Sequence, residues 1–148
     1  MSAVEVQSVN SGCPVILLIE NDESDVFLFR RALAKAGFTG DLRVVGSATE
    51  ARAYVENTAP FKDPLYYRQP NLIVSDFRLA GHTALEFLTW LRLQPAVAHI
   101  PVVMLSGVAS GLNAVQLAKI DPKALILKTG DVAALAASLE PLLPPPTA

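Results

Sequence analysis

Five short apolar runs, separated by segments with helical periodicity, limit the fold of this chain more than any other feature. The runs are VILLI at 15–19, LRVV at 42–45, LIVS at 72–75, PVVMLS at 101–106 and ALILK at 124–128. They are mostly apolar rather than alternating, which is typical of parallel strands buried on both faces. A strand followed by a helix, repeated five times, predicts an α/β fold of the (βα)5 type. Its sheet should be parallel and doubly wound, with helices on both faces.

The segments between the runs carry apolar stripes at helical spacing. Ser47 and Glu50 have the spacing of a capping box at the start of the second helix, and Thr83 and Glu86 repeat it at the third. A fourth helix is predicted near 109–120, where the pattern is weaker. The stripes of the first, third and fifth helices are Val26, Phe29 and Leu33; Ala84, Phe87, Leu88 and Leu91; and Val132, Leu135, Ala136 and Leu139.

Length and boundaries favour a single domain. The chain has 148 residues, a length that suits one domain with its own core. Residues 1–13 are small and polar and predict a flexible lead-in, residues 14–143 the domain, and residues 144–148 a proline-rich tail. Nothing after the tail resembles an output domain, so we expect any output to pass through contact with another protein.

Composition excludes several functional classes. The net charge of −2 and the mixed signs along the chain argue against a nucleic-acid surface, which needs a basic stripe. The longest apolar runs are too short to cross a bilayer, and no signal peptide opens the chain. The single cysteine, Cys13, cannot form an internal disulfide, which is typical of a reducing compartment. We therefore expect a cytoplasmic protein that binds neither nucleic acid nor membrane.

Polar side chains follow four of the five predicted strands. They are Glu20, Asn21 and Asp22 after the first, Asp76 after the third, Ser106 at the end of the fourth and Lys128 at the end of the fifth. In open α/β sheets the functional site lies beyond the carboxyl ends of the strands, so these groups should converge at one edge. Acids there suit a hard cation such as Mg²⁺, and a lysine with a hydroxyl suits phosphoryl oxygens. Together they are what a carboxylate needs to accept and hold a phosphoryl group.

The chain resembles the receiver domains of two-component response regulators, over roughly residues 14–142. The resemblance implies the flavodoxin-like strand order 2-1-3-4-5. It also implies that Asp76 is the phosphoacceptor, with Ser106 and Lys128 stabilising the phosphoryl group. The implied Mg²⁺ ligands are Glu20, Asn21, Asp76 and the backbone carbonyl of Arg78.

A closer resemblance is carried by the segment TAPFKDPLYYRQP, which precedes the third strand. It is similar to the corresponding segment of the single-domain receivers that partner bacterial phytochromes. Its aromatic residues Phe61, Tyr66 and Tyr67 are expected to form a small core within the loop.

The resemblance implies a signalling role rather than an enzyme acting on separate substrates. A histidine kinase or phosphotransfer protein would supply the phosphoryl group, and the protein would signal through contact with an unidentified protein target. The alternative is a pseudo-receiver, a binding module of the same fold that is not phosphorylated. A phosphatase with an aspartyl nucleophile is a further alternative, and the sequence argues against it. Such an enzyme usually has a second acid two residues after the first, and here that position is Arg78.

Several positions depart from the usual receiver pattern. Asn21 replaces the second metal-ligating acid and removes one negative charge, so Mg²⁺ binding is expected to be weak. The neighbouring Asp22 is interpreted as the cap of the first helix. The remaining departures are Ala80, Ala84, Leu125 and Thr129, where receivers commonly have proline, glycine, an aromatic switch residue and proline. Asn21 and Leu125 favour the pseudo-receiver alternative. Together, the departures argue against the usual switching mechanism more than against phosphorylation itself.

Two surface positions are candidate partner contacts. Phe27 falls almost opposite the apolar stripe of the first helix, where an exposed aromatic side chain could dock a partner. Ala134 lies with Ala133 and Ala137 on the outward side of the fifth helix, a nearly uncharged surface that suits packing against a second copy or a target. A homodimer is therefore one candidate assembly.

Overall fold

The computed structural model describes residues 13–79, 82–107 and 125–145, with only the backbone at residues 82 and 83. Within these ranges, the main sheet contains five strands, β1 to β5, and four helices, α1 to α4, surround it. The strands are Val15–Ile19, Asp41–Val45, Leu72–Asp76, Val102–Ser106 and Leu125–Leu127. The helices are Glu23–Lys35, Ala48–Glu56, Ala84–Arg92 and Val132–Leu139, and a 3-10 turn, Glu140–Leu142, follows the last. A short antiparallel hairpin, Arg78–Leu79 with His82–Thr83, follows β3.

The main sheet has the order β2-β1-β3-β4-β5, and every neighbouring pair is parallel. The predicted α/β fold and the 2-1-3-4-5 order are therefore confirmed. The order reverses at β1 and β3, so a crevice opens beyond the carboxyl ends of these two strands. β1 and β4 are buried along their whole length, as expected for inner strands of such a sheet.

The predicted burial of all strands is wrong for the two edge strands. Four of the five residues of β2 are only partly buried, and in β5 Leu127 is exposed while Ile126 is buried. An edge strand has a neighbouring strand on one side only, so part of its surface stays open to solvent.

Two hydrophobic cores lie on opposite faces of the sheet, and β1 contributes alternate residues to each. Leu17 and Ile19 join the core formed with α2 and α3, whereas Ile16 and Leu18 join the core formed with α1 and α4. This alternation follows from the two-residue side-chain period of a strand. Helices α1 and α4 therefore share one face of the sheet and pack directly against each other.

The predicted helical stripes are confirmed in the described helices. Each stripe supplies buried residues to one of the two cores, and these include Phe29 and Leu33, Ala84, Phe87 and Leu91, and Ala136 and Leu139. None of the helices in the described ranges is both long and apolar enough to span a membrane. The helix expected near 109–120 and the side chain of Thr83 lie outside the described residues.

The capping box of α2 is present with one difference from the expected pattern. The Ser47 hydroxyl accepts a hydrogen bond from the backbone N–H of Glu50 at 3.1 Å. The Glu50 carboxylate accepts from the N–H of Gly46 at 2.6 Å, one residue earlier than the usual return bond. Both bonds satisfy backbone donors at the point where the chain leaves β2.

An aromatic cluster closes the loop that precedes β3, as the sequence predicts. Phe61 and Tyr67 pack on each other and on the buried ring of Tyr54, with centroid distances of 5.2 to 5.8 Å. Burial raises the pKa of Tyr54 to about 12, and its hydroxyl donates to a loop carbonyl. The guanidinium of Arg43, on β2, lies 4.2 Å from the ring centroid of Tyr66. The loop therefore packs over part of the β2 edge.

Candidate functional site

Glu20, Asp76 and Lys128 meet at the carboxyl edge of the sheet because strand pairing fixes their backbones. Asp76 is the last residue of β3 and pairs with β4. The backbone ladder continues one residue beyond β1 and β5. The N–H of Glu20 donates to the carbonyl of Val45 at 2.9 Å, and the N–H of Lys128 to the carbonyl of Ser106 at 2.7 Å. The sequence prediction that these three side chains converge is confirmed.

The Lys128 ammonium is the centre of the site and contacts three carboxylates. Its Nζ lies 2.7 Å from Oδ2 of Asp25, 3.3 Å from Oε1 of Glu20 and 3.4 Å from Oδ2 of Asp76. The contacts to Asp25 and Glu20 are hydrogen bonds. Sequence reasoning missed Asp25, which lies in the first turn of α1 rather than at a strand end.

The pKa values reflect burial and this shared charge. Glu20 is only 4% exposed, and burial raises the pKa of its carboxyl. The negative charge of Asp76 acts in the same direction, and the N–H of Asp22 and the ammonium of Lys128 oppose both. Burial acts to lower the pKa of Lys128, but the hydrogen bond to Asp25 and the charges of Glu20 and Asp76 outweigh burial and raise it. Lys128 is therefore a fixed positive charge within the site.

The Asp76 carboxylate is partly exposed at the end of β3. About 20% of its side chain is exposed. Its Oδ2 faces Lys128, and its Oδ1 lies 3.4 Å from the backbone N–H of Arg78. The hydroxyl of the preceding Ser75 donates to the backbone carbonyl of Asp76 rather than to its carboxylate. Within the part of the chain that the structure describes, each oxygen of Asp76 has only this one long polar contact.

The other predicted site residues lie nearby. Ser106 is buried, and its hydroxyl donates to the carbonyl of Gly107 at 3.1 Å. Asn21 is exposed directly after Glu20. Asp22 caps α1, as predicted, because its carboxylate accepts from the N–H of Ser24 at 2.8 Å. The expectation that Ser106 lies at the carboxyl edge is confirmed, although its hydroxyl bonds to backbone.

Four oxygen donors at this edge could hold a hard divalent cation. Glu20 and Asp76 offer carboxylates, Asn21 an amide oxygen and Arg78 a backbone carbonyl, and Mg²⁺ prefers oxygen ligands of these kinds. In the ranges that the structure covers, no group of three or more His, Cys, Asp or Glu side chains is arranged to hold a metal ion. With two carboxylates and two neutral donors, the set carries less negative charge than one with a third acid.

We expect Asn21→Asp to tighten Mg²⁺ binding. The substitution adds one negative charge beside Glu20 at an exposed position, where solvent reduces its effect. The gain is on the order of 1 kcal/mol, or about fivefold in Kd. Isothermal titration with MgCl₂ measures it, and Asp22→Asn, which keeps a capping oxygen, is the control. An unchanged or weaker affinity in Asn21→Asp would show that residue 21 does not face the cation.

The two candidate partner surfaces are exposed, as the sequence predicts. Phe27 is 58% exposed, and the guanidinium of Arg31 lies 5.7 Å from its ring centroid. Ala134 is exposed on α4, beside a shallow groove that the exposed Leu127 also lines.

Comparison with curated proteins finds response regulators. No family model matches the chain. The phosphate regulon transcriptional regulatory protein PhoB of Rhizobium meliloti is 29% identical over 94 residues, which are 64% of this chain and 36% of PhoB. The response regulator Rcp1 of Synechocystis is 27% identical over 92 residues, 62% of this chain and 60% of Rcp1. The chain thus matches less than two thirds of the length of either relative.

Comparison with solved structures finds the same class. The phosphorylated cyanobacterial phytochrome response regulator RcpA superposes with a TM-score of 0.71 at 23% identity, covering 88% of this chain and 91% of RcpA. The bacteriophytochrome response regulator RtBRR has a TM-score of 0.71 at 25% identity, covering 86% and 76%. The Mn²⁺-bound form of Rcp1 has a TM-score of 0.70 at 21% identity, covering 87% and 91%.

The fold is therefore that of response-regulator receiver domains, the class that the strand-end residues indicate. Within that class, the structural neighbours include the response regulators of phytochromes. This result confirms the resemblance to receiver domains and the closer one to the receivers that partner phytochromes.

Proposed function

We propose that this protein is a phosphoryl-accepting receiver of a two-component system, with Asp76 as the acceptor. The observation that carries the proposal is the position of Asp76. Its carboxylate ends an inner strand at the switch in strand order and opens to solvent on one side. A lysine ammonium stands 3.4 Å from its Oδ2 on the other side. The receiver fold of the chain supports the same assignment.

The reaction needs only a carboxylate nucleophile and groups that neutralise charge. A carboxylate oxygen of Asp76 forms a bond to phosphorus as the bond from phosphorus to the donor breaks. In a histidine kinase or phosphotransfer protein the leaving atom is an imidazole nitrogen, which keeps the electron pair and later takes up a proton. The product is an aspartyl phosphate, and no oxidant or second substrate is needed.

The neighbouring residues supply charge and hydrogen bonds to the phosphoryl oxygens. Lys128 is protonated throughout the ordinary pH range because its pKa is raised, and its ammonium neutralises charge next to Asp76. Ser106 can donate its hydroxyl to a phosphoryl oxygen if it gives up the bond to Gly107. Mg²⁺, held by Glu20, Asn21, Asp76 and the carbonyl of Arg78, would offset the remaining negative charge when bound.

Intact-mass measurement after incubation with MgCl₂ and acetyl phosphate tests the proposal. We expect the wild-type protein to gain the mass of one phosphoryl group and to lose the gain when excess chelator replaces the metal. The alternative, a pseudo-receiver, predicts no gain at any donor concentration even where Mg²⁺ binds. Absence of labelling across a range of Mg²⁺ and donor concentrations would therefore favour the pseudo-receiver.

The output proposed for the phosphorylated protein is contact with another protein rather than catalysis. The outward face of α4 is formed by the exposed residues Ala133, Ala134 and Ala137, which carry no charge. Helices with small side chains on a face can approach another chain closely, and the contact would be apolar. We propose this face as the contact with a second copy or a target.

We expect Ala134→Glu to disrupt that contact without unfolding the protein. The exposed position tolerates a charge in the monomer, but a carboxylate buried in an apolar interface costs free energy. Sedimentation with and without acetyl phosphate measures the assembly, and Ser138→Glu on the same helix tests how far the interface extends. Because the interface is apolar, the assembly should depend little on salt. If the protein is a monomer under all conditions and Ala134→Glu leaves partner binding unchanged, this face of α4 is not the contact surface.

A further inference from the structure

The Lys128 ammonium is held more closely by Asp25 than by the proposed acceptor. The distance from Nζ is 2.7 Å to Asp25 and 3.4 Å to Asp76, and among the described residues only Asp25 and Glu20 receive hydrogen bonds from it. A contact of 2.7 Å between an ammonium and a carboxylate is at the short end of charge-assisted hydrogen bonds. In the unphosphorylated site, the Lys128 ammonium therefore contacts α1 as well as β3.

Asp25 is placed for this contact by the cap of α1. The carboxylate of Asp22 accepts hydrogen bonds from the backbone N–H groups of Ser24 and Asp25. Because Asp22 caps the helix, the side chain of Asp25 is free of the capping role that an acid at this position often has. It reaches across to Lys128, which follows the edge strand β5, and links α1 to the segment that leads into α4.

The surroundings leave Lys128 room to exchange partners. Its side chain borders a small cavity of about 50 Å³ between α1 and α4, which Leu28 and Leu135 also line. The side chains of Asp25 and Lys128 are about 33% and 24% exposed, so water can solvate either group when the bond breaks. An ammonium has three N–H donors, and two of them are engaged by Asp25 and Glu20.

We propose that Asp25 is a positioning residue that competes with phosphorylated Asp76 for Lys128. This inference rests on the proposed function of Asp76. A phosphoryl group brings several anionic oxygens beside Lys128, and the ammonium can give them a second N–H only by releasing Asp25 or Glu20. Asp25 is the partner that water can solvate, because its side chain is 33% exposed whereas that of Glu20 is 2% exposed. The free energy of the bond to Asp25 is then subtracted from the stability of the phosphorylated state. Asp25 thereby sets how readily the phosphorylated state forms.

Beryllofluoride, which mimics a phosphoryl group on a carboxylate, allows the competition to be measured at equilibrium. With saturating MgCl₂, we expect Asp25→Asn to bind beryllofluoride about fivefold more tightly than wild type. Asp25→Glu, which keeps the charge, should stay close to wild type. Glu23→Gln removes a charge from the same helical turn and is the matched control. Each titration is repeated at 1 M NaCl, where repulsion between exposed charges is screened but direct hydrogen bonding persists.

The outcomes separate positioning from a structural role. Competition predicts that Asp25→Asn binds more tightly at both salt concentrations although its unfolding free energy is lower than that of wild type. A merely structural role predicts that binding and stability fall together. The inference would be overturned if Asp25→Asn bound beryllofluoride no more tightly than wild type. It would also be overturned if Glu23→Gln showed the same gain, or if the gain vanished at 1 M NaCl. If wild type itself fails to bind beryllofluoride and to be phosphorylated, the proposed function fails instead.

Discussion

Asp76→Asn is expected to gain no phosphoryl group under conditions that label the wild-type protein fully. The amide keeps the size of the side chain but is a far weaker nucleophile than a carboxylate, so labelling should fall by at least about 100-fold. Intact mass after incubation with acetyl phosphate and MgCl₂ measures the loss.

Asp22→Asn is the matched control for this loss. It changes an acid near the same crevice, but its amide oxygen can still cap α1, so labelling should persist. Equal labelling of wild type and Asp76→Asn would place the modification elsewhere and would contradict the assignment of Asp76.

Lys128→Met is expected to lower both stability and phosphorylation. Glu20 is buried and would lose its counter-charge, and leaving a buried charge unpaired is strongly destabilising. Because Asp25 and Asp76 are partly exposed, water offsets part of the loss, and we expect a decrease of about 2 kcal/mol in the free energy of unfolding. Phosphorylation should slow on the order of 100-fold, because an ammonium no longer faces the developing charge.

Urea unfolding and the time course of labelling measure the two effects of Lys128→Met. Lys62 is exposed in the loop before β3, so Lys62→Met removes the same charge at a distance and should change neither quantity. Lys128→Arg keeps the charge and should recover most of the stability. A Lys128→Met variant that is as stable and as reactive as wild type would show that the three carboxylates do not depend on this ammonium.

The fold could be predicted because its determinants are local. Each apolar run of five residues or so fits one strand, and the stripe of Phe87 and Leu91 fits one helix face, so the (βα)5 pattern can be read without tertiary information. The partial burial of β2 was missed although Arg43 interrupts its apolar run, and charged side chains are typical of edge strands. Which strand lies at the edge depends on strand order, and here that order was implied by resemblance to a family.

The site could be predicted only in part, for a related reason. Glu20, Asp76 and Lys128 follow strands, and the carboxyl ends of parallel strands share one edge, so topology brings them together. Asp25 lies three residues after the helix cap Asp22, where an acid is ordinarily explained by capping and by the helix dipole. Its contact with Lys128 joins positions that are 103 residues apart. The sequence does hold one indication of this contact. Asp25 is a second acid in the first turn of a helix that Asp22 already caps.

The orientation of the Ser106 hydroxyl could not be predicted from the sequence either. Its place at the end of β4 follows from the apolar run, but a buried hydroxyl can donate to any acceptor within reach. The structure directs it to the carbonyl of Gly107 rather than to Asp76. Local sequence does not encode which acceptor the hydroxyl takes.

Borohydride reduction of the phosphorylated protein, followed by peptide mass spectrometry, tests the central claim most directly. An acyl phosphate is reduced to an alcohol, so an aspartyl phosphate becomes homoserine at the modified position while unmodified carboxylates remain. We predict homoserine at position 76 only, in the peptide that contains LIVSDFR, and none when acetyl phosphate is omitted. Homoserine at position 22 or 25 with aspartate retained at 76, or labelled protein with no homoserine at all, would contradict the assignment of Asp76 as the phosphoryl acceptor.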